Sequence, residues 1–167
     1  MSETSGPMTG ARPQLNVRWV FGNIDEPLRR ELVAFWLKEG ALPNADEAWR
    51  RSFEVACVLQ DAQLGNIAGV CTVAIRLDDH QRSYGFVRIF IRPDSRMVGM
   101  NVRLMKQMIE GFTALAREPG GPQRLVATME NRKLERRAGQ RILARLGFVH
   151  VGVAPNGELV MQRHLAT

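Results

Sequence analysis

The chain has 167 residues, of which 45% are hydrophobic and 24% are charged, and this supply of apolar side chains suits one globular domain with a sizeable core. The composition excludes an intrinsically disordered chain, and no apolar run approaches the roughly 20 residues that a membrane-spanning helix needs. Charge is uneven, because residues 1–80 hold 8 Lys and Arg against 11 Asp and Glu, whereas residues 81–167 hold 15 against 6. Of the 23 basic residues 20 are arginines, which bind phosphate bidentately, so we expect the second half to contact an anion in a cofactor or a nucleic acid.

The beginning of the chain differs in composition from the rest. Residues 1–14 contain Ser, Thr, Gly and Pro but no apolar run of the kind that a secretory signal uses. They predict a disordered tail over residues 1–14, followed by a single domain over residues 15–167. We expect the protein to be cytoplasmic.

The cysteines and histidines give no sign of a metal centre. Cys57 and Cys71 each lie among apolar residues, which predicts buried thiols rather than a disulfide framework. The three histidines are scattered, with no second ligand at metal-binding spacing. We therefore expect no metal.

Hydrophobic periodicity divides the chain into alternating strand and helix patterns. Alternation of apolar and polar residues predicts strands, and apolar residues recurring every three or four positions predict helices. Asp25 and the Asn44/Glu47 capping box mark two helix starts. The predicted elements in chain order are β1 (15–21), α1 (25–40), α2 (44–52), β2 (54–60), β3 (67–77), β4 (84–92), α3 (between 93 and 118), β5 (124–129), α4 (132–146), β6 (148–153) and β7 (158–165).

The lengths of the connections indicate how these strands pair. Short turns join β2, β3 and β4, which predicts an antiparallel meander. A crossover helix joins β4 to β5, and a right-handed βαβ unit makes those two strands parallel. The order β-α-α-β-β-β-α-β-α-β-β thus predicts a mixed α/β domain, with a mostly antiparallel central sheet and one parallel β4/β5 pair.

The junction between β4 and α3 is the best candidate for an anion site. It joins a strand to a helix N-terminus, where N–H groups and the helix dipole favour an anion. Gly99 permits close approach of the backbone, and Arg92 and Arg96 supply positive charge on either side of the turn. The segment is neither a Walker A loop nor a Rossmann fingerprint. It predicts a pyrophosphate-binding turn; the alternative is an ordinary capped turn with solvated arginines.

Two short motifs occur within this order of elements. Arg96-Met-Val-Gly-Met-Asn101 opens α3, and Asn131 after β5 precedes a helix that ends in Leu146-Gly-Phe148. Together they resemble the GNAT superfamily of acyl-CoA-dependent N-acyltransferases, whose central helix opens with Arg/Gln-x-x-Gly-x-Gly/Ala. The resemblance covers residues 15–165 and implies a GNAT-like fold with acetyl-CoA as the acyl donor.

The same resemblance implies where the cofactor binds. Backbone N–H groups of residues 96–101 would hold the coenzyme A pyrophosphate, and the end of β4 would pair with the pantetheine arm like an added strand. β4 and β5 would splay apart there, and a backbone N–H of β4 would polarise the thioester carbonyl. The predicted cofactor-binding residues are Phe90, Ile91, Arg92, Arg96, Met97, Val98, Gly99, Met100 and Asn101.

The sequence departs from the family at two usual proton-transfer positions. Leu143 stands where many members carry a Tyr in the last helix, and β4 has Arg88 in mid-strand and no carboxylate. Glu130 and Asn131 at the end of β5, and Tyr84 at the start of β4, are therefore the predicted catalytic residues. The alternatives are a solvated strand end for Glu130 and cross-strand packing for Tyr84.

α4 carries a basic stripe of Arg137, Arg141 and Arg145, spaced by four residues. Such a stripe predicts either contact with a phosphate backbone or a solvated helix face. No aromatic residues interleave with it, so stacking on single-stranded bases is not expected.

The resemblance implies an N-acetyltransferase that passes an acetyl group from acetyl-CoA directly to a primary amine of a small molecule or protein. Acyl transfer to a nucleic acid or a nucleic-acid-bound substrate is an alternative, favoured by the basic second half. A non-catalytic GNAT-like module that binds a ligand or partner is another, favoured by the missing Tyr and carboxylate. The expected partner is an amine-bearing acceptor, with no membrane contact, and the chain is expected to be a monomer or a homodimer.

Overall fold

A computed structural model describes residues 14–95, 99–129 and 133–165, and only the backbone of residues 133–136. Residues 1–13, which make up almost all of the expected tail, lie outside that part of the chain. All eleven predicted helices and strands are confirmed, with ends that shift by a few residues. The structure has β1 (Leu15–Trp19), α1 (Glu26–Lys38), α2 (Ala45–Ser52), β2 (Val55–Asp61), β3 (Ile67–Leu77), β4 (Ser83–Ile91), a 3-10 turn (Pro93–Ser95), α3 (Met100–Leu115), β5 (Arg124–Met129), α4 (Lys133–Arg145), β6 (Val149–Val153) and β7 (Leu159–His164).

The seven strands form one sheet in the order β1-β2-β3-β4-β5-β7-β6. The antiparallel meander of β2, β3 and β4 is confirmed, and so is the parallel pairing of β4 with β5. β7 lies between β5 and β6 and pairs with both. The final hairpin therefore forms one end of the sheet, with β6 as the edge strand. The predicted fold class, a mixed α/β domain with a mostly antiparallel sheet, is therefore confirmed.

Each face of the sheet buries its own hydrophobic cluster. On one face α3 packs its apolar stripe against the sheet, and Leu104, Met108 and Phe112 are fully buried there. On the other face α1 packs Leu32 and Trp36 against the sheet, together with residues of β2 and β3. The amphipathic spacing in the sequence accounts for both faces, because each helix turns one apolar stripe toward the strands.

α1 and α2 are joined by a buried arginine. The guanidinium of Arg29 donates from Nε to the Ser52 hydroxyl at 2.8 Å and from a terminal nitrogen to the Trp49 carbonyl at 2.9 Å. Its central carbon lies 3.6 Å from the centroid of the Trp49 ring and 3.2 Å from that of Phe53. These contacts fix α2 beside α1 on the same face of the sheet.

The two cysteines are free and buried, as the sequence predicts, and they are direct neighbours across β2 and β3. Burial raises the pKa of Cys57 to about 12 and that of Cys71 well above its usual value. Both thiols are therefore protonated at neutral pH. Within the described ranges, no helix has the length and hydrophobicity needed to cross a membrane.

Candidate active site

The parallel strands β4 and β5 separate in the middle of the sheet. Their pairing runs from Tyr84 opposite Arg124 to Val87 opposite Ala127 and ends there. β4 continues for four residues beyond that point, to Ile91, still paired with β3. The gap between the two strands is the splay that the sequence resemblance implies.

Backbone alternation determines which groups of β4 face the splay. The Arg92 N–H donates to the Ala68 carbonyl of β3 at 2.8 Å, and the register between β3 and β4 is regular. Alternate residues of a strand direct their backbone groups to opposite sides, so Phe90 faces β3 and Ile89 faces the β5 side. The N–H of Ile89 therefore lies at the splay, two residues beyond the last β4–β5 pair.

A cleft of about 410 Å³ occupies the splay. Most of its lining residues are apolar, and Gly139 lets α4 approach β5 closely here, because a Cβ at that position would lie 2.3 Å from Cε of Met129. Its polar lining residues are Arg88, Asn101, Thr128 and Glu158. The lining residues are Val87, Arg88, Ile89, Asn101, Met105, Ala127, Thr128, Met129, Gly139, Ile142, Leu143 and Glu158.

The N-terminus of α3 lies at one end of this cleft, where Asn101 lines it. The first backbone bond of the helix runs from the Arg103 N–H to the Gly99 carbonyl at 3.0 Å, so the preceding N–H groups have no acceptor within the helix. Side chains of Asp25 and Asn44 cap α1 and α2, whereas α3 has no side-chain cap and no acidic residue in its first turn. This terminus is electrostatically suited to an anion.

Gly99 is needed at this terminus for its backbone conformation. Its φ is +88°, in the left-handed region, where side chains other than glycine are strained. No atom lies within 4 Å of the place where a Cβ would stand, so the space above the residue is open. A ligand can therefore reach the helix N-terminus at this point.

The other predicted cofactor residues have separate positions. Arg92 binds Asp94 at 2.5 Å and the Ser95 hydroxyl at 3.1 Å, which fixes the turn between β4 and α3. Ile91 and Met100 are buried in the core below α3. The Phe90 ring lies on the opposite face, 5.8 Å from the Phe35 ring. Arg96, Met97 and Val98 lie outside the described residues.

Of the predicted catalytic residues, the structure describes Tyr84 alone. Tyr84 lies at the start of β4, four residues before Arg88, with its ring 4.9 Å from the Arg124 guanidinium, and it does not line the cleft. A role for Tyr84 in proton transfer stays a prediction, and the alternative of cross-strand packing describes its contacts. Glu130 and Asn131 lie outside the described residues. Leu143, at the usual place of the family's Tyr, does line the cleft and is apolar.

Sequence reasoning missed two polar residues of the cleft, Thr128 and Glu158. Both also line a neighbouring groove of about 580 Å³, which lies between β4 and the β6–β7 turn and also includes Arg88. Glu158 is half-buried and follows directly on the turn Ala154–Gly157. The two cavities share these three lining residues, so the groove lies next to the cleft.

Arg137, Arg141 and Arg145 are exposed. Among the residues whose placement is described, no group of three or more His, Cys, Asp or Glu side chains is arranged to hold a metal ion.

Comparison with known proteins defines the fold. No protein-family model and no curated protein sequence matches the chain. Solved structures do match, and the chain has the fold of the GNAT acetyltransferases, which confirms the fold implied by the sequence resemblance.

Three of these structures show the extent of the likeness. An acetyltransferase of the GNAT family from Streptococcus pneumoniae matches with a TM-score of 0.63 at 20% identity, over 90% of this chain and 99% of that one. A ribosomal-protein-S5-alanine acetyltransferase from Vibrio fischeri matches with a TM-score of 0.66 at 15% identity, over 90% and 92%. A GNAT superfamily phosphinothricin acetyltransferase from Sinorhizobium meliloti, in complex with AcCoA, matches with a TM-score of 0.67 at 19% identity, over 91% and 89%.

Proposed function

We propose that the protein is an acyl-CoA-dependent N-acyltransferase that uses acetyl-CoA and acts on a primary amine. The observation that carries this proposal is the cleft between the splayed strands β4 and β5, which ends at the uncapped N-terminus of α3. Acetyl-CoA suits this arrangement, because its pantetheine arm and thioester would occupy the cleft while its pyrophosphate binds at the N-terminus of α3. The AcCoA complex of the phosphinothricin acetyltransferase, which shares the fold, supports the choice of donor.

Binding uses backbone groups for the most part. The N–H groups from Gly99 to Val102 hold the pyrophosphate, since they have no acceptor within the helix and the dipole favours negative charge. Arg96, Met97 and Val98 belong to the same proposed turn. The pantetheine arm lies along the side of β4 that faces the splay, near Ile89 and Ile91.

Acyl transfer then proceeds in one step of addition and one of elimination. The Ile89 N–H donates to the thioester carbonyl oxygen and stabilises the negative charge that develops there. The amine nitrogen attacks the carbonyl carbon, a C–N bond forms, and a proton passes from the nitrogen to the Glu158 carboxylate. The C–S bond breaks, the coenzyme A thiolate takes a proton from solvent at the open end of the cleft, and Glu158 returns its proton to solvent.

The buried thiols have no part in this scheme. A thiol whose pKa is about 12 supplies almost no thiolate at neutral pH. Cys57 and Cys71 also lie on β2 and β3, outside the lining of the cleft. Transfer is therefore direct, without an acyl-enzyme.

The test is calorimetric titration of acetyl-CoA into wild type, Gly99→Glu and Gly99→Gln. Both variants strain the left-handed backbone equally, but only Glu adds negative charge at the proposed pyrophosphate site. We expect binding by wild type, weaker binding by Gly99→Gln, and a further loss of about tenfold or more in Gly99→Glu. Equal affinities of the two variants, or no binding by wild type, would contradict the proposed site.

A non-catalytic binding module is the second candidate. It is favoured by Leu143, which places an apolar side chain in the cleft where the family's proton donor usually stands. Measurement of thiol release with a panel of amines separates the two functions. Turnover that is lost in Gly99→Glu supports the enzyme, whereas acetyl-CoA binding without turnover of any amine supports the module.

A further inference from the structure

A second, smaller cavity lies on the α1/α2 face of the sheet beside the cleft. It has a volume of about 220 Å³, and most of its lining residues are apolar or aromatic. Two arginines, Arg51 from α2 and Arg88 from β4, also line it, together with Thr72 of β3. The remaining lining residues are Trp36, Ala41, Leu42, Val70, Ile89 and Phe90.

The Arg51 side chain has an unused donor. Its Nε–H is buried and has no hydrogen-bond acceptor among the described atoms, while one terminal nitrogen binds Glu47 at 3.1 Å. A buried donor without an acceptor is costly, and this nitrogen has almost no accessible surface, so a ligand in the cavity would contact the terminal nitrogens of the guanidinium instead. The side chain is only 17% exposed, so it is held in the cavity wall.

Arg88 experiences repulsion from its neighbours. Its strongest charge interactions are repulsion from Arg51, attraction to Glu54, and repulsion from Arg76. Burial and the like charge of Arg51 lower the pKa of Arg88 below its usual value, although it stays protonated at neutral pH. Attraction to Glu47 is the weakest of these effects.

The two carboxylates near these arginines are already engaged with another cation. Arg50 binds Glu47 at 2.5 Å and lies 3.7 Å from Glu54, while Arg51 shares Glu47. Arg51 and Arg88 line the cavity, and Arg76 also repels Arg88, whereas Glu47 and Glu54 are shared with Arg50, so positive charge remains at the cavity. An anion bound between Arg51 and Arg88 relieves their mutual repulsion.

The cavity adjoins the site of acyl transfer. Arg88 and Ile89 line both the small cavity and the β4/β5 cleft, and the Ile89 N–H is the proposed donor to the thioester carbonyl. A group held by Arg51 and Arg88 therefore lies beside the strand segment that carries the proposed donor. In this arrangement the amine of the same small molecule would extend from the cavity toward the cleft.

We propose that the acceptor is a small amino acid-like molecule whose carboxylate binds Arg51 and Arg88 and whose apolar side chain lies against Trp36, Leu42 and Phe90. This inference rests on the proposed acyltransferase function and names its substrate class. The volume of the cavity suits a single residue-sized ligand and excludes a folded protein surface or a nucleic acid strand. Guanidinium groups bind carboxylates through paired, charge-assisted hydrogen bonds, which accounts for two arginines at one small cavity.

The experiment measures binding without the cofactor. N-acetyl-L-leucine, the product of such a reaction, and its uncharged carboxamide are titrated into the whole protein at concentrations up to roughly 10 mM. We expect the acid to bind about tenfold or more tightly than the amide, because only the acid accepts charge-assisted hydrogen bonds. Equal affinities, no binding of the acid, or displacement of the acid by equimolar inorganic phosphate would overturn the inference.

Variants locate the binding site. Arg88→Met and Arg51→Met each remove one guanidinium and keep an unbranched apolar stem, so the preference for acid over amide is expected to fall to near unity in both. Arg30→Met is the matched control, because Arg30 is exposed and its ion pair among the described residues is with Glu26 on α1. A preference that survives both cavity variants, or that is lost equally in the control, contradicts the assignment.

The failure of this inference differs from a failure of the proposed function. Gly99→Glu is expected to lose acetyl-CoA but to keep the preference for the acid, since the two sites use different residues. Acetyl-CoA binding and turnover without any acid preference would refute only the carboxylate site. Acid preference without acetyl-CoA binding would refute the acyltransferase and leave the carboxylate site in place.

Discussion

Glu158 is the residue whose substitution tests the proposed chemistry most directly. It lines both the cleft and the groove beyond the splay, where the proposed reaction brings an amine to the thioester. We expect Glu158→Gln to lower kcat/KM by about 100-fold, because the amide cannot accept the proton, with little effect on acetyl-CoA affinity. Activity of the variant should recover toward high pH, where the amine loses its proton in solution.

The control for this prediction is Glu31→Gln, an exposed carboxylate on α1 away from the cleft. It should leave the pH profile unchanged. If Glu158→Gln keeps wild-type kcat/KM at neutral pH, another group or water accepts the proton.

The cysteines give a prediction about pH and stability. Burial raises the pKa of Cys57 to about 12 in the folded protein, whereas an unfolded thiol titrates near its ordinary value of about 8.5. Between these pH values the folded state holds a proton that the unfolded state releases, so the free energy of unfolding falls as pH rises. The decline reaches at most about 1.4 kcal/mol per pH unit for each thiol.

Denaturant unfolding of wild type and Cys57→Ala at pH 8 to 11 measures this slope. The variant should show a shallower decline than wild type, because one of the two coupled thiols is gone. Identical slopes would show that Cys57 is not desolvated in the folded state.

At the scale of the element, α3 approaches the sheet closely at Gly111. A Cβ at this position would lie 2.2 Å from the Trp19 ring, which is itself packed 5.2 Å from the Phe112 ring and 5.8 Å from the Phe21 ring. Ala favours a helix over Gly by about 1 kcal/mol, but overpacking a rigid ring costs about 1–3 kcal/mol. Gly111→Ala should therefore lower the free energy of unfolding, by about 1 kcal/mol.

The same substitution in a Trp19→Leu protein separates the gain in helix propensity from the cost of overpacking. In Trp19→Leu the ring is absent, so Gly111→Ala should raise stability through helix propensity alone. Chemical denaturation of wild type, the two single variants and the double variant gives the effect of Gly111→Ala on the free energy of unfolding with and without the Trp19 ring. Destabilisation by Gly111→Ala in both backgrounds would place the clash somewhere other than Trp19.

The elements themselves could be predicted because each carries a local pattern. The apolar stripe of α3 and the capping residues Asp25 and Asn44 are visible within a few positions of the chain. The parallel β4/β5 pair also follows from the length of one crossover. These features depend on near neighbours in sequence, which a single sequence displays.

Long-range placement could not be predicted in the same way. Glu158 lines the cleft because β7, which follows it directly, lies between β5 and β6 in the sheet. A local sequence pattern does not show which strand of the last hairpin pairs with β5. The Arg51–Arg88 cavity depends on how α2 sits over β4, through the buried contacts of Arg29. The proposed role of Ile89 depends on which strand N–H groups face β5. The sequence shows that N–H groups alternate along a strand, but the side that each one faces follows only from the β3–β4 register.

At the scale of the whole molecule, the topology places the proposed reactants on opposite faces of one sheet. α3 and α4 enclose the cleft on one side, while α1, α2 and the β6–β7 turn border the smaller cavity and the groove on the other. The splay of β4 from β5 is the passage between them. The donor and acceptor therefore meet in the plane of the sheet, where strand backbone groups are rigidly held.

The most direct test of the central claim is a crystal structure of the protein with acetyl-CoA. The account predicts the pyrophosphate on the N–H groups at the start of α3 and the thioester carbonyl oxygen about 3 Å from the Ile89 nitrogen. The arm should pass between β4 and β5. A cofactor bound on another surface, or a splay that stays closed while acetyl-CoA is bound, would contradict it.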